Sequence, residues 1–270
     1  MITAHPIARR VCLLVAVFAL AAASACGSAA RGVPDGTVQP DKFLYERGSE
    51  ELAERNWLTA REFFRQIIDT YTQSTYRPDA KLGMGDTYFG EGTPDGLERA
   101  LNEFREFLSF FPTNPRADYA QFKLGMTHFR QMRGPQRDQT ETREAIRELD
   151  LFVTRYPNST LLTEGKARLR DARDRLSQSD YEVGYFYYRQ RWYPGAVDRF
   201  KALLKQDPEF TNRDAVYFHL GEALAKGNSS SKAEALPYFE KLVEEFQQSE
   251  YLADANKRIA ELKAELQAKS

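Results

Sequence analysis

The sequence is poor in the residues from which catalytic and metal sites are most often built. Its 270 residues include two cysteines and three histidines, and neither His128 nor His219 has a second ligand at helical spacing. An isolated histidine on an amphipathic helix is usually a packed or capping residue. No nucleophile elbow or Walker loop is present, and Gly83-Met84-Gly85 does not follow a strand. We therefore expect no enzyme, no metal site and no cofactor.

Long hydrophobic runs are also scarce, and the only one lies at the N-terminus. Val11 to Ala23 is too short to span a bilayer comfortably, follows Arg9 and Arg10, and leads into Ala23-Ser24-Ala25-Cys26. This layout predicts an export signal over residues 1–25. A cysteine directly after small residues resembles the lipobox of bacterial lipoproteins, in which Cys26 becomes the lipidated first residue. An ordinary cleavage site with an incidental cysteine is the alternative.

Lipidation would leave the mature chain without a thiol. Cys12 is removed with the signal and the sulfur of Cys26 is taken by the lipid, which excludes a disulfide-stapled fold. Residues 26–40 are small, polar and rich in glycine and proline, and they predict a flexible tether. In related lipoproteins, a residue such as Gly27 after the cysteine goes with sorting to the outer membrane.

Charge of neither sign dominates. The chain has 38 lysines and arginines against 39 aspartates and glutamates, and loss of Arg9 and Arg10 with the signal leaves a mature charge near −3. This balance gives no general reason to bind nucleic acid, so none is expected as a partner.

From Asp41 onward no segment shows the two-residue alternation of a strand. Amphipathic segments of helical length alternate with short breaks, which predicts an all-α fold. The segments repeat a tetratricopeptide pattern, and repeat four shows it without insertion in Gly184, Ala196, Phe200 and Pro208. The second helices of the other repeats keep the same spacing, at Ala60, Phe64 and Ile67; Ala100, Phe104, Phe107 and Pro112; Ala145, Leu149, Phe152 and Pro157; and Ala235, Phe239 and Leu242.

Each member of this pattern has a physical role. Glycine and alanine mark the places where two helices cross closely, aromatic residues fill the gaps between helix pairs, and proline ends the second helix. A single hairpin cannot bury its apolar face, whereas stacked neighbours can. The sequence therefore predicts a right-handed superhelix of about five hairpins with a concave groove suited to binding.

Two insertions and one long helix depart from a regular repeat. Counted from Gly83, repeat two has five extra residues, with Thr93 as the N-cap of its second helix. Counted from Gly125, repeat three has eight extra residues, through 132–138. Both insertions fall in turns, where repeat proteins often contact partners. From Ser159 to Gln190 the spacing predicts one helix of about 48 Å joining the first three repeats to the last two.

In combination, these features resemble the BamD family of bacterial lipoproteins, from about Phe43 to the end of repeat five. The C-terminal tail from Ser249 matches least well. Three segments carry the resemblance: Phe111-Pro112-Thr113-Asn114-Pro115-Arg116-Ala117-Asp118-Tyr119-Ala120, then Tyr156-Pro157-Asn158-Ser159 with the long helix, and Tyr181-Glu182-Val183-Gly184 with Trp192.

The resemblance implies a scaffold on the periplasmic face of the outer membrane, held by its lipid and working in the β-barrel assembly complex. Residues 158–270 would bind the periplasmic domains of the barrel-forming BamA subunit. Residues 41–157, repeats one to three, would receive unfolded outer-membrane proteins by their C-terminal signal. Other lipoproteins of the complex are further expected partners. A different periplasmic repeat adaptor, serving cell-envelope or division machinery, is the alternative.

Two sets of residues are the candidate contacts. For any member of the client set, groove and core are both open interpretations. The partner set combines the residue types that dominate interface energies, although packing of the long helix would also explain it. The client set, counted from each repeat's glycine, is Tyr45, Ser49, Leu52, Met84, Thr87, Tyr88, Phe122, Met126 and Phe129. The partner set is Tyr181, Tyr185, Tyr188, Arg189, Arg191, Trp192 and Arg199.

Overall fold

The computed structural model describes residues 33–227 and 229–268. The predicted signal over 1–25, the lipidation site Cys26 and the first part of the predicted tether, to residue 32, lie outside the described residues.

Eleven helices and no strand occur within the described residues, which confirms the all-α fold class. The helices are α1 Pro40–Ala53, α2 Trp57–Thr70, α3 Arg77–Glu91, α4 Pro94–Phe110, α5 Ala117–Gln131, α6 Thr140–Arg155, α7 Leu162–Arg189, α8 Tyr193–Gln206, α9 Arg213–Ala225, α10 Ser229–Glu245 and α11 Leu252–Gln267. They divide into two compact units, one ending at Ala80 and the other beginning at Lys81. The predicted functional division at 157/158 stays a prediction.

In the first unit, α1 and α2 form one hairpin. Gly48 lies directly against the ring of Phe64, so close that a Cβ on Gly48 would stand 2.7 Å from the ring. Leu44, Ala60 and Ile67 are fully buried beside this contact. The predicted glycine, alanine and phenylalanine positions of repeat one are therefore confirmed.

In the second unit the same contact recurs in every hairpin. A Cβ would stand 2.6 Å from Phe104 at Gly85, 2.8 Å from Leu149 at Gly125, 2.7 Å from Phe200 at Gly184 and 2.6 Å from Phe239 at Gly221. A methyl group at any of these positions would force the facing side chain or the helix to shift, and the facing side chains are fully buried. This repeated close approach confirms the tetratricopeptide-type hairpins.

Repeat two corrects one expectation about register. The glycine that meets the second helix is Gly85, two residues after Gly83, so the insertion before Ala100 is three residues rather than five. The extra residues lie at the start of α4, which begins at Pro94, six residues before Ala100, whereas α2 begins three residues before Ala60. Thr93 caps α4 as predicted, with its Oγ1 accepting from the backbone N–H of Gly96 at 3.0 Å.

The long helix α7 is confirmed, with 28 residues. It belongs to two hairpins at once. Gly165 near its start lies against Phe152 of α6, and Gly184 near its end lies against Phe200 of α8. One continuous helix therefore closes repeat three and opens repeat four.

A serine–aspartate hydrogen bond that the sequence pattern did not indicate follows three of the second helices. Ser159 Oγ donates to Asp118 at 2.6 Å, and Ser249 Oγ donates to Asp214 at 2.6 Å. In the first unit Ser74 Oγ donates to Asp41 at the same distance. Each hydroxyl also accepts from the backbone N–H two residues later, as in a helix cap. The turn after a hairpin is thereby tied to the start of the hairpin's first helix.

Candidate interaction surfaces

Three tyrosines of the predicted partner set form a ladder along α7. The rings of Tyr181 and Tyr185 stack with centroids 5.9 Å apart, and those of Tyr185 and Tyr188 stack at 6.1 Å. His219 of α9 meets the ladder edge-on, with 4.8 Å between its centroid and that of Tyr185. The three tyrosines are half-buried. Their inner faces therefore hold α7 against α9, while their edges stay accessible.

The centre of this cluster carries no charge at neutral pH. Burial lowers the pKa of His219, and its Nδ1 lies 2.8 Å from the carbonyl oxygen of Ala215, to which it can donate. Burial likewise raises the pKa values of Tyr181 and Tyr188. A neutral aromatic cluster of this kind stabilises the junction between repeats four and five.

The other members of the partner set are exposed. Arg189, Arg191 and Arg199 form no ion pair within the described residues. Trp192 is 56% exposed and meets Tyr187 in a T-shaped contact at 4.8 Å, on a different face of α7 from the tyrosine ladder. The structure thus gathers the tyrosines on one face and displays the tryptophan and arginines around it.

A groove of about 890 Å³ runs beside this ladder. It lies between the α5–α6 turn, which is the repeat-three insertion, and the C-terminal half of α7. Pro135 and Arg137 line it from the turn, and Val183, Phe186 and Arg189 line it from the helix. Its volume is within the range of ligand-binding clefts.

In the first unit, the candidate client residues are half-buried. The ring of Tyr45 stacks on Tyr76 with centroids 5.2 Å apart, and Ser49 Oγ donates to the carbonyl oxygen of Tyr45 at 2.8 Å. Leu52 is also half-buried, one turn after Gly48. Each of the three keeps part of its surface open to a ligand.

The candidate client residues of the second unit divide into two groups. Met84, Thr87 and Tyr88 are buried, because the true register of repeat two is set by Gly85 and turns them inward. Phe122 is also buried, with its ring 5.4 Å from Phe152. The expectation that these four face an open groove is corrected. The remaining two, Met126 and Phe129, are half-buried.

Phe89 is a surface aromatic that the count from Gly83 missed. The ammonium of Lys123 lies 3.6 Å from the centre of its ring, and the guanidinium of Arg130 lies 5.2 Å away on α5. Arg130 also donates to the carbonyl oxygen of Phe89 at 2.6 Å. Phe89 follows Gly85 by four residues, as Phe129 follows Gly125, and that spacing was the available signal.

His128 has a structural explanation. Its Nδ1 lies 2.7 Å from Glu141 Oε2 of α6, and its Nε2 lies 3.2 Å from the guanidinium of Arg105 of α4. A proton on Nδ1 satisfies both contacts, so the buried ring links three consecutive helices. Among the described residues no group of three or more acidic, histidine or cysteine side chains could hold a metal ion. Within the same residues no helix is both long and apolar enough to cross a bilayer.

Comparison with known proteins assigns the family. Residues 38–226, more than half of the chain, match the model of the YfiO family, described as "Outer membrane lipoprotein". The chain belongs to this family. The resemblance to BamD proteins drawn from the sequence is thereby confirmed, and the match includes all of the candidate surfaces described above.

Relatives named "Outer membrane protein assembly factor BamD" agree with this membership. The protein from Caulobacter vibrioides is 27% identical over 76% of this chain and 67% of its own length. That from Vibrio cholerae is 26% identical over 73% of this chain and 83% of its own. The solved TPR2AB-domain:pHSP90 complex of yeast Sti1 shares 14% identity over 84% of each chain, with a TM-score of 0.44. At that score the fold assignment rests on the hairpin contacts of the chain itself.

Proposed function

We propose that this chain is an assembly factor for outer-membrane proteins, acting as a non-catalytic scaffold. The observation that carries the proposal is the family match over 38–226, together with relatives that are named assembly factors. Stacked hairpins expose partly buried aromatic residues next to unpaired arginines, which suits binding of other proteins. His128, His219 and the buried carboxylates Glu148 and Asp207 have structural partners, and this supports a binding protein rather than an enzyme.

The proposed partner of the repeat-four surface is the periplasmic part of a BamA-type barrel subunit. Arg189, Arg191 and Arg199 are exposed and unpaired within the described residues, and Trp192 is exposed beside them. A desolvated tryptophan flanked by arginines is the composition that alanine substitution most often finds at the centre of an interface. The tyrosine ladder packs α7, which ends at Arg189, against His219 of α9.

Unfolded outer-membrane proteins are the proposed clients of the earlier repeats. The side chains with open surface are Tyr45, Ser49 and Leu52 in the first unit, and Met126 and Phe129 in the second. Aromatic, aliphatic and thioether groups accommodate extended segments of varied sequence. Lipidation of Cys26 would hold the protein on the periplasmic face of the outer membrane, where other lipoproteins of the complex are further partners.

Depletion in cells tests the proposal. The expected result is a loss of β-barrel proteins from the outer membrane, with cell division initially unaffected. Purification of the full chain in mild detergent is expected to recover a barrel subunit with it. Normal barrel levels after depletion, together with a division defect, would instead assign the chain to a different envelope machinery.

A further inference from the structure

We propose that the groove between the α5–α6 turn and α7 binds an extended, acidic peptide segment of a partner protein that also carries large apolar side chains. The inference rests on the proposed function, because it identifies the chemistry of a segment that docks beside the partner surface. It adds the turn residues Pro135, Gln136 and Arg137 to that surface.

The walls of the groove are fixed before any ligand arrives. The buried side-chain amide of Gln139 donates to the carbonyl oxygens of Gly134 at 2.8 Å and of Arg137 at 2.9 Å. Arg175 of α7 donates to the carbonyl oxygen of Arg133 at 3.0 Å, which ties the turn to the helix. A peptide therefore meets a groove that internal hydrogen bonds have already ordered, which lowers the entropy lost on binding.

Apolar anchors lie on the helical wall. Val183 and Phe186 are 40% and 57% exposed, and they are three residues apart on α7, so their side chains are neighbours. The rest of the second unit buries most of its large apolar residues, and an exposed pair beside a cleft is a feature of binding sites. These two side chains can take up aromatic or aliphatic groups of a ligand.

The charges of the lining residues indicate which other side chains the ligand carries. Arg137 and Arg189 line the groove, and neither forms an ion pair in the described part of the chain. Glu182 is the one carboxylate of the lining. Arginines thus outnumber carboxylates in the lining by two to one.

Amide side chains supply hydrogen bonds for a peptide backbone. Gln136 and Gln190 are exposed in the lining, and each can both donate to a carbonyl oxygen and accept from an N–H. An extended chain presents both groups at each residue. Acidic side chains would then meet the arginines, while apolar side chains of the same segment meet Val183 and Phe186.

Fluorescence anisotropy with the full chain in detergent micelles tests the proposal. The probe is a dye-labelled peptide that alternates glutamate with leucine and phenylalanine. One control peptide has glutamine in place of every glutamate, and another has lysine. The acidic peptide is expected to bind at least about tenfold more tightly than either control, with an affinity that falls as salt is raised.

Variants locate the site. Joint substitution Arg137→Gln and Arg189→Gln is expected to weaken acidic-peptide binding by about tenfold, and Phe186→Ala by about fivefold. The matched controls are Arg155→Gln and Phe110→Ala, which are exposed residues of the same types outside the groove. Both controls are expected to bind as the unaltered chain does.

The proposal is overturned if the three peptides bind equally, or if the control variants weaken binding as much as the groove variants. Thermal unfolding of each variant, unchanged from the parent, shows that binding rather than folding is measured. If the peptide fails to bind while depletion still removes barrel proteins, the groove assignment fails and the assembly role stands.

Discussion

The two halves of α7 differ in whether their arginines form ion pairs. In the N-terminal half, Arg170 pairs with Asp207 and Asp174, and Arg173 pairs with Asp150 at 2.7 Å. In the C-terminal half, Arg189 and the following Arg191 have no ion pair within the described residues. Both halves belong to the same helix and pack a glycine against a phenylalanine. The arginines of the first half form ion pairs within the chain, whereas those at the end of the second half stay available to a ligand.

The difference follows from what lies opposite each half. Arg170 of the N-terminal half faces the turn after α8, where Asp207 is buried and also accepts from Oγ of Ser177, just past the middle of α7, at 2.6 Å. The C-terminal half faces the repeat-three insertion across an open groove. Exposed ion pairs contribute little to stability, so conversion of exposed basic residues in either half to glutamine should separate binding from folding.

The largest effect on stability is expected at Phe200 of α8, which packs against the C-terminal half of α7. Phe200 is fully buried against Gly184, and Phe200→Ala should lower the free energy of unfolding by about 3–5 kcal/mol. Phe186→Ala, on the open face of the same helix, should change it by less than about 0.5 kcal/mol. Urea denaturation measures both. A large loss with Phe186→Ala would mean that the open face is part of the core.

The next largest effect on stability is expected at the ion pair between Arg170, in the N-terminal half of α7, and Asp207. Burial raises the pKa of Asp207, but hydrogen bonds from Arg170 and Ser177 outweigh it and hold the pKa below its usual range. Asp207→Ala removes the main ion-pair partner of Arg170 and should lower the free energy of unfolding by about 1–3 kcal/mol. Asp171→Ala is the matched control, since that carboxylate is exposed on α7. Equal unfolding midpoints for the two variants would contradict the structural role of Asp207.

A pH dependence is expected at the junction of repeats four and five. Because burial lowers the pKa of His219, the folded protein resists protonation that the unfolded chain accepts near its usual pKa of about 6.5. Stability should therefore be complete above that pH and fall by up to about 1.4 kcal/mol per pH unit below it. Thermal unfolding between about pH 7.5 and 5.5 checks this, and His219→Phe should lose most of the dependence. An unchanged slope in that variant would assign the effect to another group.

The smallest effect is a gain in stability. Arg191 follows α7 with a φ of 61°, and the backbone N–H groups of Arg191 and Trp192 donate back to Tyr188 and Tyr187. This left-handed position favours glycine, so Arg191→Gly should stabilise the fold by about 0.5–1 kcal/mol. Arg55, with a φ of 62°, offers the same test in the first unit. A loss of stability in both variants would show that the arginine side chains hold these turns.

The hairpins could be predicted from the sequence because the close contacts between helices need small residues at fixed spacing. Gly184 and Phe200 show this most clearly, since no insertion separates them. The register of repeat two could not be resolved, because neither Gly83 nor Gly85 has the twelve-residue spacing to Ala100 and only packing against Phe104 decides between them. The error of two residues in register is the reason that three buried side chains of α3 were expected to face the groove.

The surfaces were harder to predict than the fold. The residue types of the three tyrosines indicate an interface, but the sequence does not show that they pack on His219, which lies 38 residues after Tyr181. The groove depends on how the repeat-three insertion folds back towards α7, through the hydrogen bond from Arg175 to Arg133. Spacing within one helix carries no information on such contacts between distant segments.

Co-purification with two matched triple variants tests the contrast between the halves of α7 most directly. The first replaces Arg189 at the end of α7, Arg191 directly after it and Arg199 of the paired helix α8 with glutamine, and the second replaces Lys166, Arg168 and Arg173 of the N-terminal half of α7 with glutamine. We predict that the first loses the barrel subunit and remains as stable as the parent, whereas the second retains the subunit at parental levels. Retention of the subunit by both variants, or its loss from the second alone, would contradict the assignment of the C-terminal half as the binding surface.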